Sequence, residues 1–377
     1  LFIKAQGHVT EFNSERLPID IYITTPTSGI NTETDILVVC LGFANDPNSR
    51  FLRKFKKAIA NKFNTIVISV GFLGYQVTNT RSLRLIFSNS PDIQKHIKVL
   101  KFNNELYQLY QSNDLDGFAK LARGQDLSSV LTLLESSNIL SPNCYIDYGY
   151  IQAIDIIQSI LITCHHFRLA NPKVFAFGSS LGGYILHMAT HFAPNLFTYL
   201  VDVSAQVVID HNCFINGRLS RGILDTFNTS ISIKRASFYA ESGPYKLLDK
   251  HLAIRNLLAR NINPQTSCKY LMFAGTTDIE APLQHKIDYF KKLVSAGIDA
   301  DLIAVTSQDL NDGIFSHTGH SLGCNFYKLL DSLFEGIKTT QTTNKTAPFE
   351  TIINTPYAHY SVKYTSALDL NIKESSV

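Results

Sequence analysis

The chain has 377 residues, of which 45% are hydrophobic and 17% charged, and its formal net charge is +3. So small a charge, without a basic stripe, excludes the electrostatic signature of a nucleic-acid-binding protein. No apolar run approaches the roughly 18 residues that a transmembrane helix needs. We therefore expect a soluble cytoplasmic protein with no membrane span, in which the six scattered cysteines are buried free thiols.

Short β-rich runs open the chain. Phe2–Ala5 and Ile19–Ile23 are separated by polar and proline residues, which predicts antiparallel strands. The runs 35–41 and 65–71 are continuously apolar, as is typical of strands covered on both faces. A basic amphipathic helix is predicted between them, over 51–63. We interpret this segment as a βαβ unit.

Two long segments lack the signals of buried strands. They lie at about 75–147 and 206–267, and helical patterns recur in the first of them, at 97–110 and 128–134. We interpret both as helical insertions that form a cap in one domain of residues 1–338. A Thr/Asn-rich linker then begins at 339, and the chain ends in an extended segment, 339–377 in total.

A buried strand, Val174–Phe177, runs directly into the sequence Gly178-Ser179-Ser180-Leu181-Gly182, and a helix follows it. This sequence fits the Gly-x-Ser-x-Gly nucleophile elbow, in which a sharp turn presents a serine hydroxyl. A predicted helix over Tyr148–Phe167 precedes the strand. The strand-turn-helix context is what the motif requires. An ordinary Gly/Ser turn of an α/β domain is the alternative interpretation.

Further strands and helices alternate after the elbow. The pattern predicts buried strands at 199–204, 270–275 and 300–305 and helices over 283–296 and up to about Ile337. Such alternation favours a mostly parallel sheet, in which functional residues collect at the carboxyl ends of the strands. Asp278 follows one of these strands, and His317 and His320 follow the last.

The elbow, the sequence Gly275-Thr276-Thr277-Asp278 and a late histidine resemble the α/β-hydrolase superfamily, in the style of its esterases and prolyl peptidases. The order Ser, Asp, His is also that of the superfamily. The resemblance covers roughly 30–75 and 148–335. It implies an α/β-hydrolase fold, with a mostly parallel central sheet flanked by helices. It also implies a reaction that uses no metal or organic cofactor. The chain also resembles uncharacterised hydrolase-like proteins of Campylobacter-type bacteria, which adds no substrate.

The resemblance implies a catalytic triad. A serine hydroxyl needs an imidazole to accept its proton and a carboxylate to hold that imidazole in the right tautomer. Ser180 would be the nucleophile, Asp278 the acid and His320 the base. Asp202, at the end of an earlier strand, is an alternative acid, and His317 is an alternative base.

We prefer His320 as the base because of its neighbours. Gly319 gives the backbone freedom to approach the elbow, and Ser321 is predicted to be the N-cap of the last helix. The family pattern further assigns an oxyanion hole to the backbone N–H groups of Leu181 and of Phe43, with Ala44 as the alternative to Phe43. The family often has His-Gly in that loop, where this chain has Leu41-Gly42.

These observations predict a serine hydrolase that cleaves an ester, thioester or amide through an acyl-enzyme, with an ester preferred over a peptide. Its partner would be a small-molecule or glycan-linked acyl substrate. An acyltransferase with the same triad and a non-catalytic binding protein of this fold are alternatives. His187 and His191 lie four residues apart on a predicted helix, and we interpret them as hydrogen-bonded helix residues, with no metal bound.

Overall fold

The structure, a computed structural model, describes residues 1–43, 45–75, 83–85, 108, 134–136, 142–210, 214, 219–224, 229–234, 239–264, 266–311, 313–339, 348–365 and 370–376. The chain forms two compact units. The first contains Leu1–Tyr75, Asp147–Ile209 and Leu248–Val377, and the second contains Gln76–Ile146 and Asp210–Leu247. Among the described helices, none combines the length and the apolar character that a membrane crossing requires.

Strands in chain order are β1 (Phe2–Ala5), β2 (Ile19–Thr24), β3 (Asp35–Cys40), β4 (Thr65–Gly71), β5 (Leu83–Leu85), β6 (Leu134–Ser136), β7 (Val174–Ser179), β8 (Tyr199–Val203), β9 (Leu219–Leu224), β10 (Thr229–Lys234), β11 (Lys269–Gly275), β12 (Ala300–Val305), β13 (Phe349–Asn354), β14 (Ala358–Tyr364) and β15 (Leu370–Ser376). The α-helices are α1 (Arg50–Phe63), α2 (Tyr150–Phe167), α3 (Leu181–Phe192), α4 (Asp249–Arg255), α5 (Leu283–Ser295) and α6 (Phe326–Thr339). Short 3-10 turns lie at Ser307–Asn311 and His320–Gly323.

The first unit is built on an eight-stranded sheet with the order β1-β2-β4-β3-β7-β8-β11-β12. β1, β2 and β4 pair antiparallel, and every later neighbour pairs parallel. The antiparallel strands β1 and β2 therefore lie at one edge, and the strands from β4 onward run parallel to one another. Within this parallel part, β4 comes before β3, the reverse of their order in the chain. With helices flanking the sheet, this is the α/β-hydrolase fold. The fold class predicted from the alternation of strands and helices is confirmed.

Aromatic side chains fill the core on one face of the sheet. Phe63 of α1 stacks on Phe334 of α6 with ring centroids 3.9 Å apart, and Phe175 of β7 meets Phe334 edge-on at 5.6 Å. The central strands β4, β7 and β8 are buried at every position, as their continuous apolar runs predict. β12 was expected to be a buried strand, but it is the edge of the sheet, and Ile303 is 42% exposed.

The second unit contains a four-stranded sheet with the order β5-β6-β10-β9. A purely helical insertion is therefore wrong for these strands. The sequence of β10, Thr229-Ser-Ile-Ser-Ile-Lys234, alternates polar and apolar residues with the period of a strand. The helical patterns at 97–110 and 128–134 lie almost entirely outside the described residues. The first unit resumes at Leu248, earlier than the predicted end of the insertion at 267.

The extended segment at the end of the chain forms a second sheet within the first unit. β13, β14 and β15 make an antiparallel meander. Tyr360 of β14 is buried, its ring meets Tyr150 of α2 at 5.9 Å, and its hydroxyl donates to the Lys250 carbonyl at 3.3 Å. The predicted linker falls mostly outside the described residues. The final segment therefore packs against α2 and α4 of the same unit.

Candidate active site

Ser180 occupies the turn between β7 and α3. Its backbone has φ 53° and ψ −128°, a region that a residue with a side chain rarely adopts. Its N–H donates to the Val203 carbonyl at 2.9 Å, and its carbonyl accepts from the N–H of Tyr184 at 3.1 Å. Such strain persists only where the surrounding structure over-determines it. The serine is thus held at the carboxyl edge of the sheet in the conformation of a nucleophile elbow.

The glycines of the motif are required by close packing. A Cβ atom at Gly178 would lie 2.5 Å from Cα of Gly183, and one at Gly182 would overlap the carbonyl of Cys40. Any side chain at these positions would therefore push the first turn of α3 away from β3 and β7. The small residues that make the motif recognisable in the sequence have this physical cause.

Ser180, His320 and Asp278 form a continuous hydrogen-bonded chain. Oγ of Ser180 lies 2.7 Å from Nε2 of His320, and Nδ1 of His320 lies 3.0 and 3.1 Å from the two carboxylate oxygens of Asp278. A carboxylate only accepts hydrogen bonds, so Nδ1 carries the proton and Nε2 accepts from the serine hydroxyl. The His320 side chain is 20% exposed and that of Asp278 is fully buried. The structure brings these three predicted residues together.

The loop after β11 fixes the Asp278 carboxylate. Its Oδ1 atom accepts hydrogen bonds from the backbone N–H groups of Glu280 and Ala281, both at 2.9 Å. Together with Nδ1 of His320, three donors thus converge on one buried carboxylate. This arrangement sets both the position of the carboxylate and the direction in which it holds the imidazole.

The His320 loop is anchored differently from the sequence-based expectation. α6 begins at Phe326, and Oδ1 of Asn325 accepts from the N–H of Lys328 at 3.2 Å, so the prediction that Ser321 is the N-cap of this helix is wrong. Ser321 instead lies in a 3-10 turn with φ 64°. The buried Leu322 anchors the turn, because its carbonyl accepts from the N–H of Ser316 at 3.0 Å.

His317 lies in the same loop but turns away from the elbow. It is exposed, and its Nδ1 atom accepts from the backbone N–H of Gly319 at 3.2 Å. Within the described part of the chain, its ring makes no hydrogen bond to Ser180 or Asp278. Of the two candidate histidines, the structure brings only His320 to the serine.

Asp202, the alternative acid, belongs to a separate buried cluster. Its Oδ2 atom accepts from Nε2 of His187 at 2.9 Å and from the ammonium of Lys286, and its Oδ1 atom accepts from the N–H of Ala205 at 2.8 Å. Burial alone would raise the pKa of Asp202, but Lys286 and His187 outweigh it and lower the pKa to about 2. Asp202 therefore neutralises a buried lysine and makes no hydrogen bond to His320.

Sequence reasoning missed Lys286. In the sequence, the apolar residues Ile287, Phe290 and Leu293 recur along one side of α5, but the buried residues of this helix are Lys286, Tyr289 and Leu293. A lysine at the i, i+3, i+7 spacing of a buried face is the signal that could have revealed a buried ion pair.

His187 and His191, the two predicted helix histidines, lie on α3 beside this buried cluster. His187 binds Asp202, and Nε2 of His191 lies 2.8 Å from the hydroxyl of Tyr289. Burial lowers the pKa of both imidazoles and so favours their neutral forms. Across the described residues, no group of three potential ligands has the geometry of a metal site.

Two backbone segments that contain the predicted oxyanion-hole residues lie next to Ser180. Leu181 is the first residue of α3, where an N–H has no acceptor within the helix. The loop that contains Phe43 touches the elbow, since a Cβ at Gly42 would lie 3.0 Å from Cβ of Ser180. Ala44, the alternative to Phe43, lies outside the described residues.

A search of solved structures finds similar chains at low identity. The chain is 13% identical to dipeptidyl peptidase 4 of Porphyromonas gingivalis, with a TM-score of 0.48, and the match covers 90% of this chain and 35% of that one. It is 12% identical to the acylaminoacyl peptidase of Pyrococcus horikoshii, with a TM-score of 0.49, and this match covers 92% of this chain and 42% of that one. An arylesterase is 11% identical, with a TM-score of 0.46, and this match covers 89% of this chain and 84% of that one. The chain thus spans less than half of each peptidase. Identities this low carry no information about substrate.

A comparison with protein-family models identifies the family of this chain. No curated protein matches the chain, and the comparisons do not support the further resemblance to proteins of Campylobacter-type bacteria. One family model matches residues 30–334, and its description reads "Protein of unknown function (DUF2920)". Because this match extends over most of the chain, the protein belongs to that family.

Proposed function

We propose that this protein is a serine hydrolase that cleaves a carboxylic ester, or a related thioester or amide, through an acyl-enzyme on Ser180. One observation carries the proposal: the chain of hydrogen bonds from Asp278 through His320 to Ser180, with 2.7 Å between Nε2 and Oγ. Nucleophile, base and orienting carboxylate are the three parts that acyl transfer to a serine requires.

In the acylation step, Oγ of Ser180 attacks the carbonyl carbon while its proton passes to Nε2 of His320. Asp278 stabilises the imidazolium that forms and keeps its ring in place. The tetrahedral intermediate then collapses, the bond between the carbonyl carbon and the leaving oxygen breaks, and the imidazolium gives its proton to that oxygen. An alcohol leaves, and the acyl group stays on Ser180 as an ester.

The negative charge on the carbonyl oxygen needs donors that are already in position. The N–H of Leu181 fits this role because it opens α3, where the helix dipole also favours negative charge. The N–H of Phe43, from the loop against the elbow, is our candidate for the second donor. Removing one such donor typically costs about a hundredfold to a thousandfold in rate.

Deacylation repeats these steps with water. His320 accepts a proton from a water molecule as its oxygen attacks the acyl carbon, and the proton is then returned to Oγ as the carbon–serine bond breaks. The acid product leaves, and Ser180 and the neutral imidazole are regenerated.

A fluorophosphonate probe tests the proposal because it labels serines that an adjacent base activates. We expect the purified protein to be labelled at Ser180 and to hydrolyse 4-nitrophenyl butyrate, and the Ser180→Ala variant to lose labelling and about a millionfold in turnover rate. Ser179→Ala is the matched control, because its hydroxyl belongs to the neighbouring residue of the same turn. Full activity in the Ser180→Ala variant, or a wild-type protein that is neither labelled nor active, would refute the proposal.

A further inference from the structure

A groove lies between helix α1 and the strands β1 and β2 at one edge of the large sheet. Its volume of about 860 Å³ is within the range of small-molecule sites, and the residues that line it include Phe2, Tyr22, Arg53, Lys56 and Lys57. In the sheet, β4 and β3 lie between β2 and β7, which places β2 about 14 Å from β7. The groove is therefore separate from the proposed active site at the end of β7.

The wall that α1 contributes is positively charged. This helix contains six basic residues and no acidic one. Arg53 and Lys57 are exposed and line the groove four residues apart, so they lie on the same side of the helix. Among the described ion pairs, the one on α1 joins Lys62 to Asp331, and Arg53 and Lys57 take part in none. Because like charges at this spacing repel each other, an anion bound between them would be stabilising.

A third cation, Lys56, is buried in the same wall. Its ammonium donates to the Tyr22 carbonyl at 3.0 Å and to Oγ of Ser69 at 2.7 Å, and no described carboxylate forms an ion pair with it. Both acceptors are neutral, so they satisfy hydrogen bonds without compensating the charge. Burial and the neighbouring Arg53 lower the pKa of Lys56 to about 8, so the ammonium is still mostly charged at pH 7. Three positive charges thus border the groove, and none of the described residues that line it is acidic.

The wall formed by β1, β2 and the loop after β2 combines aromatic rings with hydroxyl groups. The ring of Phe2, a residue that is 46% exposed, stacks on the ring of Tyr22 with centroids 5.0 Å apart. Thr24, Thr25 and Thr27 line the groove beside them. An exposed aromatic ring in a concave site favours a flat apolar group, and hydroxyls can donate hydrogen bonds to an anion. The groove therefore suits a ligand with one anionic end and one aromatic end.

We propose that this groove binds a soluble phosphomonoester whose organic part is aromatic. A phosphomonoester carries close to two negative charges at pH 7 and several acceptor oxygens, so it matches three cations better than a carboxylate with one charge does. Arg53 offers a planar fork of donors and Lys57 a compact ammonium, while the buried Lys56 adds its positive charge from behind. The aromatic part of the ligand would lie against Phe2. This site is additional to the proposed hydrolase activity and does not depend on it.

Three ligands separate the anionic from the aromatic contribution. They are 1-naphthyl phosphate (a ring and close to two charges), 1-naphthalenesulfonate (a ring and one charge) and methyl phosphate (the phosphate without a ring). Isothermal titration calorimetry at pH 7 gives Kd for each, and we expect a Kd of about 1 mM or lower for 1-naphthyl phosphate. The sulfonate should bind about fivefold more weakly because it carries less charge. Methyl phosphate should bind about tenfold more weakly because it has no ring to stack.

Surface variants place the ligand in the groove. Arg53→Gln and Lys57→Gln should each weaken the binding of 1-naphthyl phosphate by about fivefold, the size of a partly exposed ion pair. Lys54→Gln is the matched control, because Lys54 is an exposed cation of the same helix that does not line the groove, and it should keep Kd within about twofold. Phe2→Ser should bring 1-naphthyl phosphate and methyl phosphate to within about twofold of each other. The three basic side chains are exposed, so these substitutions should leave the fold intact.

Vesicles distinguish a soluble ligand from a lipid head group of the same chemistry. Phosphatidylcholine vesicles that contain phosphatidic acid present a phosphomonoester at a membrane surface, and cosedimentation measures binding to them. We expect the protein to bind 1-naphthyl phosphate and to stay in the supernatant. Cosedimentation without binding of 1-naphthyl phosphate would overturn the proposal in favour of a membrane contact. No heat of binding with any of the three ligands, or an equal loss of affinity in the Lys54 and Lys57 variants, would also overturn it.

Discussion

Two aspartate–histidine pairs lie at the carboxyl ends of adjacent strands, β8 and β11, and their surroundings differ sharply. His320 is partly exposed, and its second nitrogen reaches the hydroxyl of Ser180 at 2.7 Å. His187 is fully buried, and the carboxylate it binds, Asp202, is also bound by Lys286. The first pair has a hydroxyl to activate and access to solvent. The second has a permanent counter-ion and no access to solvent, and the other nitrogen of His187 lies 3.4 Å from the buried hydroxyl of Tyr289.

The contrast shows what distinguishes a candidate catalytic pair from a structural one. Both pairs contain the same two functional groups at hydrogen-bond distance, and both carboxylates also accept backbone N–H groups. Only the third partner and the access to solvent differ. A buried ammonium keeps Asp202 ionised and occupied, whereas the carboxylate of Asp278 holds an imidazole whose other nitrogen can exchange a proton with Ser180.

The largest expected effect comes from removing the imidazole of His320, the partly exposed histidine of the two pairs. His320→Ala should lower kcat for 4-nitrophenyl butyrate by about a millionfold, because a serine without its base gains little from the remaining groups. His317→Ala is the matched control in the same loop and should retain activity within a few-fold. Rapid acylation, seen as a burst of nitrophenol, in the His320 variant together with its loss in the His317 variant would reverse the assignment.

Asp278, the carboxylate that binds His320, should matter for the reaction rate and little for stability. Asp278→Asn should lower kcat by about ten-thousandfold, because an amide that donates to Nδ1 favours the wrong imidazole tautomer. Circular dichroism and a urea titration should show a folded protein. If Asp202→Asn caused the larger loss of kcat in a folded, equally stable protein, the two pairs would have exchanged roles.

The carboxylate of the buried pair should matter for stability. Asp202→Asn leaves the Lys286 ammonium buried without its counter-ion, and we expect the free energy of unfolding in urea to fall by about 3–5 kcal/mol. Asp301→Asn is the control, because its salt bridge with Lys269 is long, at 3.6 Å, and its side chain is 60% exposed. That variant should change stability by less than about 0.5 kcal/mol.

A second substitution sharpens the same point. Adding Lys286→Met to the Asp202 variant removes the unpaired cation and should recover part of the lost stability. No recovery would mean that the destabilisation comes from the hydrogen bonds of Asp202 to His187 and Ala205 and not from the isolated charge.

The smallest expected effect is the decrease in the free energy of unfolding at acid pH. The pKa of Asp202 is lowered to about 2 in the folded protein, below its value near 4 in the unfolded chain. Its contribution is therefore fully present above pH 4 and is lost as the pH falls from about 4 to about 2, by at most about 2 kcal/mol. Urea unfolding of the wild type and of Asp202→Asn across this range should show that the difference between their free energies of unfolding narrows by about 2 kcal/mol as the pH falls. Parallel curves would contradict the ion pair.

The sequence predicted much of the central fold because local patterns and tertiary burial agree there. The continuous apolar runs of β3, β4 and β7 are the strands that the structure buries, and the glycines around Ser180 are explained by contacts that leave no room for a Cβ atom. Asp278 and His320 were predictable as members of one constellation because parallel strands bring their carboxyl ends to one edge.

Other features depend on contacts that a single sequence does not state. The Asp202–Lys286 ion pair joins residues 84 positions apart, and nothing near Asp202 in the sequence indicates its partner. The anchoring of the His320 loop was attributed to Ser321, although Asn325 caps the helix, because both residue types favour that position and only the observed start of α6 distinguishes them. The strands of the second unit were missed because short alternating segments carry a weak signal.

The terminal sheet sets the boundaries of any smaller piece of this chain that would fold. The family match ends at residue 334, yet Tyr360, Val362 and Ala358 of β14 are buried, with Tyr360 against Tyr150 of α2. At the other end, β1 and β2 belong to the central sheet although they precede residue 30. A fragment cut at the limits of the family match would expose the edge of β4 and the part of α2 that contacts Tyr360. Expression work should therefore keep both flanks, since the physical domain is larger than the stretch by which the family is recognised.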